Sequence, residues 1–500
     1  MQLFIQGLAA IFNVPTVTLI IIGIIGGLIF GAIPGLSVTM AMVLFLPFTY
    51  SLDVYTALAV LMGIYIGGNS GGLVSAITIG IPGTAASVGT IFDGYPMMKK
   101  GLGGKALGIA VVVSSLGTFF SVLILIFLSP VVAKWALKFN YFAMFGVCLF
   151  SLTLASGLSS DSIVKGLLSA VIGISLTMIG IAPLDSAKRF TFHFAQLNSG
   201  LSMLPVLVSI YAVPEMLKAA RGQKILRAAN SKNTKIKGFG FTRKEFWEQK
   251  WNMLRSALIG VGVGILPGIG GATSNILAYA AAKNTSKYPE KYGTGIIDGI
   301  VATESANNAS VGGAMVPLLT LGIPGDTSTA VLLSAFLIHG IQVGPLLFQT
   351  HADLVYVIFA AMMLAALLTV LIEYFGMPGF VRLMSIKREI LLPIVMMFCI
   401  IGCFANNNRV FDVWIILPLG LLGYLLDKYG FPLPPLILGF VLGSSFEANL
   451  RRSLQLTKNN FWKFFQDPIC CVFMILTFLI IAYKCYVAIR GTVRRRKNSS

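Results

Sequence analysis

The stretch "LTLGIPGDTSTA", Leu319–Ala330, interrupts an apolar segment with a Pro-Gly pair, an aspartate and three hydroxyls. Apolar sequence leads into it, and "VLLSAFLI" leads out. Proline removes an amide donor and glycine loosens the backbone. A helix is therefore expected to stop here and a new one to begin. Carbonyls and amides freed in lipid are costly unless they are buried in protein or line a wet cavity.

The rest of the chain supplies the lipid. Of 500 residues, 56% are hydrophobic and only 11% charged, with a mean hydropathy of +0.86. A soluble domain carries about a quarter charged residues, so this chain has too few to cover a water-facing surface. Apolar runs such as Leu107 to Leu128, Tyr356 to Ile372 and Ile469 to Tyr483 approach bilayer-spanning length. They are continuous rather than alternating, which argues against a β-barrel. The expected fold is an all-α polytopic membrane protein of roughly eleven to thirteen transmembrane helices plus two re-entrant hairpins.

The formal net charge of +19 is concentrated in loops and tails. The densest clusters are residues 217–255 and the C-terminal "IRGTVRRRKNSS", with "MMKKGLGGK" near Lys99. Basic loops mark the cytoplasmic side, so all three are placed there, and the longest is of a kind that touches anionic lipid rather than nucleic acid. The expected organisation is a first repeat half with flanking helices (1–215), a basic cytoplasmic connector (216–255), a second repeat core (256–350), C-terminal transmembrane helices (351–490) and a basic cytoplasmic tail (491–500). The N-terminus lacks a charged region ahead of its apolar run and does not read as a cleaved signal peptide. Cys148, Cys399, Cys403, Cys470, Cys471 and Cys485 read as thiols buried in helices. His193, His339 and His351 are too scattered for a metal site, and no cofactor is expected.

The opening stretch has a partner. Either side of the basic loop the same landmarks recur in order: "GAIPGLS" from Gly31, "GIPGTAAS" from Gly80, "GILPGIGGATSN" from Gly264 and "GIPGDTST" from Gly322. Two ordered pairs of Pro-Gly breaks with matching flanks indicate an internal repeat. Gly/Pro-interrupted segments in corresponding halves point to a transporter binding site. The helix-break residues are Pro34, Gly35, Pro82, Pro267, Gly268 and Pro324, and the tips near the four prolines are expected to converge near the bilayer midplane.

Polar residues cluster at these breaks. The candidate substrate contacts are Ser37 and Thr39, Asn69 and Ser70, Gly83, Thr84 and Ser87 in the first half. In the second half they are Gly271, Thr273, Ser274 and Asn275, Asn307 and Asn308, and Gly325, Thr327 and Ser328. Candidate cation contacts are Asp326, Thr329, Ser310 and Glu304. Asp326 is a carboxylate at apparent membrane depth, a functional position by default. It either contacts a Na⁺ or caps the following helix, and the two roles can coexist. "ATESANNASVGG", Ala302–Gly313, reads as a dense polar patch with a solvated loop as its alternative. An intramembrane aspartyl protease would need a second aspartate on a comparable apolar span, which is missing. No HExxH or Ser/His pairing supports an enzyme.

"GAIPGLS", "GIPGTAASV" with "TIFDGYPM", "GILPGIGGATSN" and "TLGIPGDTSTAVLL" resemble the large membrane subunit of the tripartite tricarboxylate transporters, the TctA family. The resemblance runs over nearly the whole chain. It implies a non-enzymatic secondary transporter of the bacterial inner membrane. Its expected partners are a small TctB-like membrane subunit and a periplasmic TctC-like solute-binding protein. It implies import of citrate-like tri- or dicarboxylates driven by an ion gradient, with Na⁺ the expected coupling ion and H⁺ the alternative. An elevator motion of a transport domain against a scaffold is expected by analogy. Rivals are an H⁺-coupled carrier of another small organic anion, a passive anion channel and a structural membrane scaffold.

Overall fold

A computed structural model describes residues 2–159, 162–182, 184–220, 240, 242–383 and 388–498. In chain order the helices begin with α1 (Gln2–Ile11), α2 (Val14–Ala32), α3 (Val38–Phe45), α4 (Val54–Ile79), α5 (Thr90–Lys99), α6 (Gly103–Ala136) and α7 (Tyr141–Leu158). They continue with α8 (Ile163–Thr177), α9 (Met203–Leu207), α10 (Val213–Ala220), α11 (Arg243–Ile265), α12 (Gly270–Thr285), α13 (Ile297–Leu321) and α14 (Thr327–Ile338). The last are α15 (Leu347–Thr350), α16 (Ala352–Leu383), α17 (Arg388–Asn407), α18 (Val410–Trp414), α19 (Ile416–Lys428), α20 (Leu433–Leu456) and α21 (Pro468–Asn498). One two-stranded antiparallel hairpin joins β1 (Gly180–Ile181) to β2 (Lys188–Arg189).

The chain is an all-α polytopic membrane protein. Among the described residues eight helices are long and apolar enough to cross a bilayer: α2, α4, α6, α7, α16, Val410–Lys428, α20 and Pro468–Val487. Val38–Ser51, Ile163–Thr177, Thr327–Ile338 and Met396–Ala405 are shorter apolar helices. The polar "TESANNAS" stretch keeps α13 out of the apolar set, yet every residue of α13 from Gly299 to Thr320 is buried. Helix α4 is likewise buried from Thr56 to Thr78. A helix enclosed on all sides needs no amphipathic stripe, and neither of these has one.

The chain divides into two compact units. The first comprises Met1–Ala133, Glu215–Ile265 and Gly270–Asn408. Here α2 lies along α4 and α11 lies along α13. A Cβ on Gly27 would sit 2.3 Å from Ile64 O, and one on Gly31 2.2 Å from Gly68 O. A Cβ on Gly260 would sit 2.3 Å from Ala306 O, and one on Gly264 2.4 Å from Ser310 O. Small residues at these turns let the backbones touch, the usual means of association for helices in lipid.

The second unit comprises Lys134–Pro214, Leu266–Ile269 and Arg409–Ser500. Helix α20 packs on α7 and α8, and α21 packs on α7. Phe145, Phe464, Cys470 and Met474 form a buried cluster. Arg189 after the hairpin turn grips Glu447 of α20 with two hydrogen bonds, 2.6 and 3.0 Å.

Cys148, Cys399, Cys403 and Cys470 are buried, as read from the sequence. Cys485 is exposed and Cys471 half-buried, because α21 turns part of its surface outward. Most of the basic connector, 221–239 and 241, lies outside the described residues, as do the side chains of the tail. Helix α11 begins inside the stretch read as connector. Thr242 and Glu245 form a reciprocal capping box there: Thr242 N donates to Glu245 Oε2 (2.8 Å) and Glu245 N to Thr242 Oγ1 (3.2 Å).

Candidate functional site

The two broken helices end alike. Helix α4 stops at Gly80 (φ 68°, ψ 24°) and α13 at Gly322 (φ 70°, ψ 24°), both left-handed. That conformation suits glycine and terminates a helix. After Ile-Pro-Gly in each case, an extended residue starts the next helical turn: Thr84 in one half, Asp326 in the other. Thr84 N donates to Ser87 Oγ (3.3 Å), and Asp326 N to Thr329 Oγ1 (2.8 Å). Pro82 and Pro324 bring no amide hydrogen to the break. Gly83 and Gly325 permit close contact: a Cβ would lie 2.1 Å from Gly31 O at the first and 2.6 Å from Ala314 Cα at the second.

The hairpin turns also follow the sequence. Between α2 and α3 the chain reverses at Pro34 and Gly35 (φ 85°), and Ser37 Oγ accepts from Met40 N (3.1 Å) to cap α3. Between α11 and α12 it turns at Pro267 and Gly268 (φ 79°), and α12 opens at Gly270. Leu266–Ile269 belongs to the second unit, where a Cβ on Gly268 would meet Ala155 Cβ at 2.4 Å.

Within the first unit the pieces pair crosswise. Thr39 of α3 shares hydrogen bonds with Thr327 Oγ1 (2.9 Å) and Ser328 Oγ (3.2 Å) at the start of α14. Asn275 of α12 accepts from Gly89 N (2.7 Å) just before α5 and donates to Thr303 O (3.3 Å). A Cβ on Gly271 would lie 2.7 Å from Asn307 Oδ1 and 3.0 Å from Ala86 Cβ. Thus the inner helix of each hairpin packs on the break of the other half. The two broken helices meet where Asn307 Nδ2 donates to Asn69 O (3.3 Å).

The remaining candidates fill this interior. Asn69 Nδ2 donates to Tyr65 O (2.9 Å), Ser310 Oγ to Asn307 O (2.6 Å) and Ser274 Oγ to Gly271 O (2.9 Å). Thr273 is half-buried. Glu304 is fully buried: Oε1 accepts from Thr90, and Oε2 accepts from Ser114 Oγ (3.0 Å) and Asn308 Nδ2 (3.2 Å). Far from being a solvated loop, the polar patch lies inside α13. Thr84 Oγ1, Asn307 Oδ1 and Asn308 Oδ1 are buried oxygens with no hydrogen-bond partner among the described residues. Such groups normally find a partner, so they suit a ligand that supplies positive charge or hydrogens.

Asp326 is a helix cap. Its Oδ1 accepts from Thr329 N (2.7 Å) and Thr329 Oγ1 (2.9 Å), while Oδ2 accepts from Tyr65 OH (2.6 Å). The capping alternative is what the geometry displays, with Tyr65 added.

The profile of the Tripartite tricarboxylate transporter TctA family matches residues 17–438. The chain belongs to the TctA family. It is 32% identical over 482 residues to an uncharacterized 52.8 kDa protein in the TAR-I ttuC′ 3′ region of Agrobacterium vitis, covering 95% of this chain and 94% of that protein. An uncharacterized protein in the TAR-II ttuC′ 3′ region of the same organism is 36% identical over 229 residues, 46% of this chain and 95% of its own length. No solved structure matches.

Three buried residues add to those the sequence singles out. Tyr65 is one aromatic among the apolar residues of α4. Asp93 stood in the family-like "IFDGYPM" without an apparent partner. It is buried, and its Oδ1 accepts from the backbone N–H groups of Gly293 (3.0 Å), Gly295 (2.8 Å) and Ile296 (3.1 Å). Glu373 is fully buried on α16 and accepts from Ser70 Oγ at 2.9 Å. The available signal was a lone acid following the apolar run of Tyr356 to Ile372, which merits a functional reading by default.

Proposed function

We propose that this TctA-family chain is the large permease subunit of a three-component importer. It carries citrate-like tri- or dicarboxylates across the bacterial inner membrane, driven by Na⁺. Its basic connector and tail face the cytoplasm. It works with a small TctB-like membrane subunit and a TctC-like periplasmic binding protein. The two halves are an internal repeat, and one part of the molecule moves against the other in an elevator cycle.

The observation that carries this reading is the crosswise pairing of hairpins and breaks. Gly27 and Gly31 stand to Ile64 and Gly68 as Gly260 and Gly264 stand to Ala306 and Ser310. The breaks at Gly80 and Gly322 share one backbone conformation. This arrangement collects amides, hydroxyls and Asn side chains from both halves in one buried interior. A carboxylate substrate takes hydrogen bonds from amides and hydroxyls, and cations offset its charge. Asp326, Thr329, Ser310 and Glu304 are the proposed Na⁺ contacts. The unpartnered Asn oxygens are further ligands of the hard, oxygen-seeking type.

The test is uptake of citrate and several other carboxylates into proteoliposomes containing this chain and both partner proteins, with Na⁺ and pH varied separately. Saturable, Na⁺-dependent uptake that needs the binding protein is expected. Steady conductance without the binding protein would identify a passive channel instead.

A further inference from the structure

Glu373 differs from Glu304 in a way that points to a second coupling site. Glu304 receives three donors, from Thr90, Ser114 and Asn308, which suits an ionised carboxylate. Glu373 receives one. Ser70 Oγ donates to its Oε2, while Oε1 is buried with no hydrogen-bond partner among the described residues. Thr369 Oγ1, one turn earlier on the same face of α16, is also buried and unpartnered. A bare carboxylate oxygen in a dry interior is expensive. A neutral carboxylic acid, which carries no net charge, costs far less there.

Among the described residues the surroundings supply no compensating positive charge. Helices α1 and α2, packed against α16, contain no titratable side chain, and neither does α15. On α4, Tyr65 is spent on Asp326 and Tyr55 on Asp353; Asp53 caps that helix at its far end. Helix α6 is tied to α16 through Ser115 Oγ and Ala366 O (2.8 Å), and its Lys105 and Lys134 lie near its two ends, Lys105 paired with Glu245. Helix α16 itself carries Asp353, Tyr356, Tyr374 and Arg382, and the last lies more than two turns beyond Glu373. The charge that acts on Glu373 is that of Glu304, and it is of the same sign.

We infer that Glu373 holds a proton on its carboxyl group in this conformation and exchanges it during transport, so that H⁺ is coupled in addition to the proposed Na⁺. The transport half of this inference rests on the importer reading; the protonation half does not. Loss of the proton leaves a carboxylate with one donor and a like charge nearby. Burial of this group between α16 and α4 is therefore favoured in the protonated form and opposed in the ionised form, although the bond from Ser70 is itself stronger to a carboxylate. Ser70 adjoins Asn69, whose carbonyl holds Asn307 of α13. Protonation thus acts on the element that joins the two broken helices. Such a difference between two states is what a coupling ion must have to shift a conformational equilibrium.

Two measurements on the full chain in lipid test this. In infrared difference spectra between neutral and alkaline pH, where ordinary carboxyls of value about 4 stay ionised, the wild type is expected to show a carboxylic-acid C=O band that shifts in D₂O. Glu373→Gln should lack the band and Glu304→Gln should keep it. No such band in the wild type, or a band that persists in Glu373→Gln, overturns the inference. In proteoliposomes with both partners, using a carboxylate found transportable above, an inward proton gradient should raise wild-type accumulation. Glu373→Gln should lose that increment yet retain exchange of external for internal substrate. Glu373→Asp, which keeps the carboxyl group, should retain the increment with a displaced pH profile and guards against misfolding of the amide variant. Na⁺-driven uptake indifferent to the proton gradient would refute proton coupling while leaving the importer reading intact. Absence of any uptake would refute the importer reading, and the infrared result would still decide the protonation.

Discussion

Asp93 Oδ1 accepts the backbone N–H of Ile296 at 3.1 Å, so a carboxylate from α5 caps the start of α13. Ile296 occupies the cap position of α13 with an apolar side chain that cannot do this itself. The same oxygen binds the amides of Gly293 and Gly295, and Oδ2 accepts from Tyr279 OH (3.0 Å). A residue of the first half thereby fixes the loop that leads into the central helix of the second.

Replacement of Asp93 should therefore unsettle α13 from a distance. Asp93→Ala removes four accepted hydrogen bonds whose donors are exposed at Gly293 and half-buried at Gly295, Ile296 and Tyr279, so each loss costs about 0.5–1.5 kcal/mol. Asp93→Asn keeps the shape but turns a donor toward donors if its amide flips, and should be milder. The expected result is a clear fall in the thermal midpoint of the purified protein for the alanine variant and a smaller fall for asparagine. Wild-type stability in Asp93→Ala would show that the loop holds α13 without the carboxylate.

Asp326 can be divided into its two roles. Asparagine is as good an N-cap as aspartate, whereas alanine typically costs about 1 kcal/mol at such a position. Asp326→Asn should thus fold and insert like the wild type, since the amide oxygen still accepts from Thr329 N and the amide NH2 can donate to the Tyr65 hydroxyl oxygen. If its charge helps to hold Na⁺, the Na⁺ dependence of uptake should weaken in Asp326→Asn although stability does not. Unchanged uptake with unchanged cation dependence would confine Asp326 to capping.

The glycines that join the helix pairs should behave as a matched set. Gly31→Ala and Gly264→Ala each force a methyl group against a backbone carbonyl, at 2.2 and 2.4 Å. Backbone cannot swing aside as a side chain can, so the helices must part. Overpacking of this kind costs about 1–3 kcal/mol. Gly262→Ala on α11 is the control, because a Cβ there meets nothing within 4 Å. Thermal melts should show both packed variants destabilised and Gly262→Ala unchanged or slightly improved.

What could be read in the sequence, and what could not, follows from range. Proline and glycine act locally, so the turns at Pro34, Pro82, Pro267 and Pro324 were visible without a structure. The partners were not, because Thr39 meets Thr327 across 288 residues and Asn275 meets Gly89 across 186. The patch around Glu304 carries no apolar stripe, so its place inside a fully buried helix depended on neighbours that supply Thr90 and Ser114. Glu373 sits next to Tyr374 and Phe375, where an acid resembles the end of a span rather than its interior. Asp93 was legible as part of a motif, but its ligands are amides of a loop whose side chains give no hint of them.

The capping box of α11 gives a pH dependence outside the membrane-spanning helices. Burial pushes the Glu245 carboxyl up, but hydrogen bonds from Lys105 and Thr242 outweigh it and bring the group below the usual glutamate value of 4.5. A carboxyl depressed in the folded state stabilises fully above its unfolded value. That stabilisation fades as pH falls toward the lower folded value and is gone below it. Glu245→Gln keeps a residue that serves in capping boxes and removes only the charge facing Lys105. The side chains of the pair are 34% and 26% exposed, so solvent screening limits its worth to about 1 kcal/mol or less. Thermal midpoints of wild type and Glu245→Gln should differ slightly at neutral pH and converge on acidification below the usual glutamate value. A gap that widens with acid would mean that burial, not the partners, governs this carboxyl.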